Sequence, residues 1–580
     1  MQKNTPEPAK LNRKVLFDDV LIITIMAVLA GCGLIYEYLL SHYAARVLGA
    51  VETTIFIMIG LMIVAMGLGS FAAKKLKQPF TGFAWLELAI ALIGISSVLI
   101  IALAFAFAHS FPQIIAETYG LPPDLKPSGG FFETLQKLAS LSPYIAGFLL
   151  GFLVGIEIPL IARIRETIYE KSLTHNAGTI YGADYIGAGI GAAIWVAFML
   201  SMEITTAAAL TASANLLAGI VFYARYHKKI KLSQLYLIAH LVLIVVVLNV
   251  LKSGEQWEAT LENTLYKDQV IFSAHTHYQH ITVTERTMDP QKSPVYSLFI
   301  NGRTQFSSID ENVYHEMLVH PVLAASAKQQ NILIIGGGDG LAAREVLKWN
   351  PKQITMLELD ESMIEFFRQE KFDEERGKVI NKPLLELNAY ALSDPRMKIT
   401  FGDAFNQVDE LLNNNQLFDA IIVDLPDPSH PDLNKLYSDR FYLKLRHLLT
   451  GDGAIIVQST SPYHAKNAFL SIGKTMKHAG FLHVEQMHQN VPSFGEWGWS
   501  IATKNGQSAL TRLKQNPNLP VKTSWLTNEL MLGAFHFPAQ YFSKIAQIKV
   551  NTLNSHVLYE YHQTAWQQQQ GIFAQTSETN

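Results

Sequence analysis

The chain has 580 residues, 49% of them apolar and only 16% charged, whereas soluble domains carry roughly 25% charged residues. A formal net charge of -3 gives no basic surface for nucleic acid, and the single cysteine, Cys32, excludes intrachain disulfides and cysteine-ligated zinc. The length allows two or more domains: long apolar runs fill about Val20 to Leu251, and a composition typical of soluble enzymes follows Lys252.

A bilayer-spanning helix needs about 20 mostly apolar residues. About seven stretches qualify: 20–41, 54–73, 82–109, 143–162, 177–200, 205–225 and 233–251. The first is too long, and lacks the cleavage pattern, for a removable signal peptide. Residues 1–252 are therefore expected to form an all-α, multi-pass domain in the lipid bilayer of the cell membrane. Positive charges cluster at Arg13–Lys14, Lys74–Lys75–Lys77, Arg163–Arg165 and Arg225 to Lys231. The positive-inside rule puts all four in the cytoplasm, so seven spans would carry the remainder of the chain outside.

Gly147, Gly151 and Gly155, and likewise Gly187 and Gly191, recur at four-residue spacing, which lets helices approach closely. Glu37, Glu87, Glu157 and Asp184 fall at membrane depth, where charges are costly and often mark a pathway or ligand site. Tyr181–Asp184–Tyr185 is an acidic, aromatic-flanked group able to hold a cation. The competing reading puts these acids near interfaces, or pairs them with Arg46 and its neighbours.

Residues 265–310 read as a small antiparallel β-sheet, from the alternation in "QHITVTER" and "YSLFINGRTQFSS". Asp310 to Ala325 has helical periodicity, with Asp310 as a cap. From Asn331 strands (331–335, 354–359, 397–401, 419–424, 453–458, 481–487) alternate with helices led by 341–349, 361–371, 438–449 and 465–479. The expected fold over 311–505 is a doubly wound, Rossmann-like α/β sheet of methyltransferase type. Residues 506–580 form a C-terminal extension, with a loose tail at Gln567 to Gln570 and "SETN".

Ligands in such sheets bind at the C-terminal ends of the strands. The first strand ends in Gly336, Gly337 and Gly338, which allow a tight turn and close ligand approach. A pyrophosphate would suit the helix beyond, but Asp339 would repel it. A cationic sulfonium nucleoside of the S-adenosylmethionine type resolves that conflict. Glu358 ends the second strand, at the spacing of about 20 residues usual for an acid on ribose hydroxyls. Asp403 follows the third strand and can accept from an adenine amine; Asp424 ends the fourth, with Asp427 close behind. Each acid alone is compatible with an ordinary loop or a helix cap; four at consecutive strand ends define a crevice.

A crevice lined by Asp339, Asp424 and Asp427 would repel a carboxylate-bearing tail and attract amines. That points to a decarboxylated sulfonium co-substrate and a polyamine acceptor. A primary amine, with a pKa of about 10.4 when unperturbed, arrives protonated and needs a base. Asp424, at a strand end, is the candidate general base, with Asp427 and Asp339 holding ammonium groups.

At this point the sequence resembles the spermidine synthases, or polyamine aminopropyltransferases, in their multi-pass membrane branch. The similarity spans about residues 265–505, through "YQHITVTE", "LFINGRTQ", "DENVYHE", "IIGGGDGLAAREVLK", "LELDESMIE", "DPRMKITFGDAF", "IIVDLPDPSHPDLNKLYSDRFY" and "VQSTSP". The resemblance implies that Gln279 contacts the thioadenosine part of the co-substrate, that Glu358 holds the ribose, and that Asp403 and Ala404 hold the adenine. Gly336, Gly338 and Asp339 belong to that co-substrate site, and Pro431 closes over the nucleoside. Tyr314, His315, Asp339, Gln458 and the segment Asp424, Leu425, Pro426, Asp427 face the amine. It implies decarboxylated S-adenosylmethionine as co-substrate, a putrescine-like acceptor, no tightly bound cofactor, no metal, and a homodimer.

The chain departs from the soluble enzymes in three places. Ile300-Asn301-Gly302 replaces a Leu-Asp-Gly, "DLPDP" replaces a "DSTDP"-like segment, and Phe494 replaces a Tyr whose lost hydroxyl Glu496 could offset. A methyltransferase using intact S-adenosylmethionine, and a polyamine sensor or transporter with a binding-only soluble half, are the alternatives. Because sulfonium nucleosides are made in the cytosol, the catalytic domain is expected to be cytoplasmic, against the parity of seven spans. Residues 110–142 are where a changed span count would reconcile the two.

Overall fold

The computed structural model describes residues 13–48, 51–119, 130–170, 176–266, 268–276, 278–287, 291–374, 377–516 and 518–569. They fall into two units, Met1–His277 and Tyr278–Asn580.

The first unit is helical: α1 (Arg13–Leu48), α2 (Val51–Ala72), α3 (Pro79–Thr118), α4 (Gly130–Tyr169), α5 (Asn176–Ala197), α6 (Ile204–Tyr226) and α7 (Ser233–Leu265). All seven are long and apolar enough to cross a membrane. The 110–142 stretch adds no further span among the described residues, because α3 continues to Thr118 and α4 already begins at Gly130. The glycine ridges serve packing. A Cβ on Gly155 would stand 2.0 Å from the Met66 carbonyl oxygen of α2, and one on Gly187 would stand 2.0 Å from that of Ala27 of α1. Two aspartates on α1 neutralise basic residues of other helices. Arg225 binds Asp18 at 2.6 Å, and Arg165 binds Asp19 at 2.7 Å while also donating to Asn176. A strand, β1 (Gln269–His275), follows α7.

The second unit opens with the antiparallel strands β2 (His280–Arg286), β3 (Val295–Ile300) and β4 (Arg303–Ser307). Asn301 and Gly302, at φ 51° and 76°, make the β3–β4 turn, the conformation that favours Asn-Gly. The Asn301 side-chain oxygen also accepts from the His280 N–H at 2.9 Å.

After α8 (Glu311–Ala325) the doubly wound domain follows: β5 (Asn331–Gly336), α9 (Leu341–Leu347), β6 (Gln353–Glu358) and α10 (Glu361–Arg368). Next come a short hairpin of β7 (Phe372–Asp373) and β8 (Lys378–Val379), then α11 (Lys382–Leu387), β9 (Met397–Phe401), α12 (Ala404–Asn413) and β10 (Phe418–Asp424). The domain continues through α13 (Asp439–Leu448), β11 (Leu449–Gln458), α14 (Lys466–His478), β12 (His483–Val491) and β13 (Gly495–Thr503). The sheet order is β12-β13-β11-β10-β5-β6-β9. Strands β11 to β9 run parallel, and β13 is antiparallel to both neighbours. The chain winds outward from β5 to β9 and then returns to β10 on the other flank of β5. The switch point therefore opens between β5 and β10, where Gly336 and Asp424 stand in register.

The extension is more ordered than its composition suggests, with α15 (Ala509–Gln515), α16 (Asn528–Gly533) and α17 (Val557–Gln569). Residues 570–580, which include "SETN", lie outside the described residues. Fully buried Leu558 of α17 joins the core that also contains Tyr437, Phe441 and Ile472. Glu316 of α8 ties the extension down: its carboxylate accepts from the N–H groups of Ser524, Trp525 and Leu526 at 2.6, 3.0 and 2.6 Å. Glu316 and its neighbours His320 and Glu345 bring potential ligand atoms within 4.8 Å of one another. Ion pairs and hydrogen bonds within the chain already engage all three residues. Trp349 donates to His320 Nδ1 at 3.0 Å, and His320 Nε2 reaches Glu345 at 2.9 Å. Glu316→Gln would set an amide N–H against buried donors and is expected to cost about 3 kcal/mol. Thermal unfolding of the full chain in detergent checks this through an earlier midpoint.

Candidate active site

The carboxyl ends of β5, β6, β9 and β10 carry the expected acids. Gly336 and Gly337 hold φ of 81° and 71°, a region open to glycine. A Cβ on Gly336 would stand 2.1 Å from the Asp424 carbonyl oxygen, and one on Gly338 2.9 Å from Glu358 Oε2. The turn thus brings two acidic strand ends against bare backbone. Asp339 is buried, and its Oδ1 accepts from the N–H of Leu341, the first residue of α9, at 2.9 Å. The N-cap of α9 is Gly340, without a side-chain bond; Asp339, one residue earlier, uses one of its two oxygens on the first helical N–H.

Glu358 accepts from the Leu359 and Asp360 N–H groups at 2.8 and 3.3 Å. Burial pushes its pKa up to about 7, helped by Asp360 and Asp339 and opposed by those two amides. Gln279 donates to Asp360 at 2.9 Å and so lies beside the β6 end. Asp403 caps α12 through the Phe405 N–H at 2.9 Å, and its second oxygen binds Lys435 at 2.5 Å. Lys435 belongs to the 3-10 segment Pro431–Tyr437, so this ion pair links the β9 end to the loop that carries Pro431. Ala404 is the first residue of α12.

Asp424 accepts from the Tyr314 hydroxyl at 2.6 Å. Burial and the charge of Asp339 raise its pKa to about 6, against His315 and Tyr314. His315 is itself buried against Glu311, with Nδ1 at 3.0 Å from Oε2. Burial alone would lower its pKa, but Glu311, Asp339 and Asp424 outweigh that and lift it to about 9. Arg344 closes the network on Glu311 at 2.7 Å. The crevice therefore contains an imidazolium between acids, which the acids by themselves did not reveal.

Asp427 is firmly held. Gln458 donates to its Oδ1 at 3.1 Å, and Thr460 and His562 both reach its Oδ2 at 3.2 Å. Gln458 also donates to the Leu425 carbonyl oxygen at 2.9 Å, and Tyr437 to that of Pro426 at 2.9 Å.

A family model for the spermine/spermidine synthase domain matches residues 311–515. A polyamine aminopropyltransferase of Shewanella oneidensis is 56% identical over 98% of this chain and 98% of its own length. The chain belongs to the polyamine aminopropyltransferases. Polyamine aminopropyltransferase 1 of Streptomyces coelicolor is 33% identical over 94% of each chain. The enzyme of Oceanobacillus iheyensis is 30% identical over 96% of this chain and 99% of its own. A solved spermidine synthase in complex with the transition state analogue AdoDATO aligns at 23% identity and a TM-score of 0.41, over 48% of this chain and 88% of its own.

In this aminopropyltransferase, sequence reasoning missed His562, Lys435 and the Glu311–His315–Arg344 network. The "YHE" motif marked His315; Arg344, three residues beyond Leu341 in the motif already quoted, was the available signal for its partner. Nothing local marked His562, whose contact with Asp427 spans 135 residues of chain. Phe494 packs on Tyr314 with ring centroids 6.0 Å apart. Glu496, considered as a substitute for the missing hydroxyl, is paired with His488.

Proposed function

We propose that the protein transfers the aminopropyl group of decarboxylated S-adenosylmethionine to putrescine, giving spermidine and methylthioadenosine, with Asp424 as general base. The amine nitrogen attacks the methylene next to the sulfonium. The carbon–sulfur bond breaks, sulfur keeps the electron pair, and the amine proton passes to the Asp424 carboxylate. The observation that carries this reading is Asp424 itself: a strand-end carboxylate at the switch point, fixed by Tyr314 at 2.6 Å, with a pKa of about 6. It is ionised at neutral pH and still basic enough to take a proton. Glu358 and Gln279 would hold ribose and thioadenosine, and Asp403 and Ala404 the adenine once Lys435 yields. Gly336 and Gly338 would admit the nucleoside, and Pro431 would cover it. Asp339, His315, Tyr314, Gln458 and the stretch Asp424, Leu425, Pro426, Asp427 would line the amine path. The test is turnover of the full chain in detergent with decarboxylated S-adenosylmethionine and putrescine, cadaverine, spermidine or diaminopropane. Turnover with another amine but not putrescine overturns the acceptor.

Because the base acts as its anion, activity stands above the Asp424 pKa and is lost as pH falls through it. The expected kcat/KM declines about tenfold per pH unit below about 6; a pH–rate profile checks it. His562 orients Asp427 from outside the matched domain. His562→Ala is expected to raise the amine KM roughly three- to tenfold while kcat stays within about twofold, because preorganisation of the anchoring carboxylate is lost. Steady-state kinetics with the amine varied checks it.

The seven helices support a membrane-embedded enzyme. We place the catalytic unit in the cytoplasm because its co-substrate is made there, although the basic loops favour the opposite parity. An alkaline phosphatase fusion at the C-terminus decides: periplasmic activity overturns the cytoplasmic assignment.

A further inference from the structure

The helical unit holds polar groups that the transfer reaction does not use. Glu87 of α3, Glu157 of α4 and Asn215 of α6 are each 2% exposed, and Tyr36 of α1 is fully buried. Asn215 Nδ2 donates to Glu87 Oε2 at 3.2 Å, and the Glu87 and Glu157 carboxyl groups face each other within hydrogen-bonding range. Tyr36 is an electrostatic neighbour of Glu87, and Asp184 of Glu157. Glu157 and Asn215 precede Arg165 and Arg225 by eight and ten residues, so they lie ~12–15 Å along their helices from that charged belt. That is near mid-depth for a hydrocarbon layer about 30 Å thick.

The cluster differs from the belt in one decisive respect. Asp18 and Asp19 each have an arginine, whereas no Lys or Arg among the described residues pairs with Glu87, Glu157 or Asp184. Glu87 Oε1, Glu157 Oε2, Asn215 Oδ1 and the Tyr36 hydroxyl are all buried without a hydrogen-bond partner. Three of these are acceptor oxygens, and each one left bare in an apolar bundle is costly. A proton shared by the two carboxyls would pair one oxygen of each and still leave the Asn215 oxygen bare. A primary ammonium carries three N–H donors and a positive charge, matching three acceptors and two facing acids.

We propose that the helical unit binds the terminal primary ammonium of a polyamine between Glu87, Glu157 and Asn215, at a second amine site separate from the catalytic crevice. This rests on the family's polyamine chemistry but not on the roles proposed for Asp424 and Asp427. The apolar helix faces around the cluster would take the methylene chain.

The experiment is equilibrium dialysis of radiolabelled putrescine with the full chain in detergent. Four forms are compared: the natural sequence, Glu87→Gln/Glu157→Gln, Asp424→Asn/Asp427→Asn, and the combination. Two sites per chain are expected for the first, one for each double variant, and none for the combination. If the crevice does not bind putrescine, the natural chain shows one site that Glu87→Gln/Glu157→Gln removes; the proposed acceptor then fails and this inference stands. Retention of every site in Glu87→Gln/Glu157→Gln overturns the inference, as does sodium binding there without putrescine. Should that variant not purify as a folded protein, Asn215→Leu in the Asp424→Asn/Asp427→Asn background serves instead: at least tenfold weaker binding is expected, and unchanged binding overturns the proposal.

Discussion

Asp424→Asn is expected to lower kcat of the full chain by about 10²–10⁴-fold, the usual contribution of general acid–base catalysis. Methylthioadenosine affinity is expected to change by less than about threefold. The substitution keeps the shape of the strand end and the contact from Tyr314, whose hydroxyl can still donate to the amide oxygen. It removes the anion that takes the amine proton. It also removes one of the charges that lift the His315 pKa to about 9, so the His315 titration moves down. Rapid-quench measurement of methylthioadenosine release, beside calorimetric titration of methylthioadenosine, separates chemistry from binding. A variant with near-natural turnover would remove Asp424 from the mechanism.

Gly336→Ala is expected to abolish turnover, by more than about 100-fold, and to lower the thermal midpoint of the catalytic unit. Two costs add. An L-residue at φ 81° pays roughly 1–2 kcal/mol for the left-handed conformation. The new Cβ would also stand 2.1 Å from the Asp424 carbonyl oxygen, and neither backbone can yield without parting β5 from β10, where these two residues pair. Gly302→Ala is the control. It bears a similar φ of 76° in an exposed turn, with nothing within 4 Å of its Cβ, so it should cost only the conformational part and leave turnover intact. If the two variants behave alike, the close approach of β5 to Asp424 is not what the glycine serves.

Much of this protein was legible in one dimension. Seven apolar runs became seven helices because their period and length are local properties. The strands β5, β6, β9 and β10 fell within a residue or so of expectation because buried parallel strands read as continuous apolar runs. Strand β13 escaped although Trp497, Trp499 and Ile501 alternate in "GEWGWSIAT", because Gly495 and Gly498 weaken the strand signal; in the fold it pairs between β11 and β12. Asp403 was legible as a strand-end acid, but its pairing with Lys435 was not.

The sequence by itself determined the membrane-type half, the doubly wound sheet, the glycine turn and the four acids at its strand ends, because periodicity, glycine and charge act over a few residues. Only the tertiary structure decided which acids are held and which remain basic. Asp339 spends one oxygen on a helix end, Asp427 is bound by His562 from the distant extension, and Asp424 has a pKa of about 6. Desolvation and neighbouring charge set those states, and both depend on which remote side chains folding brings together.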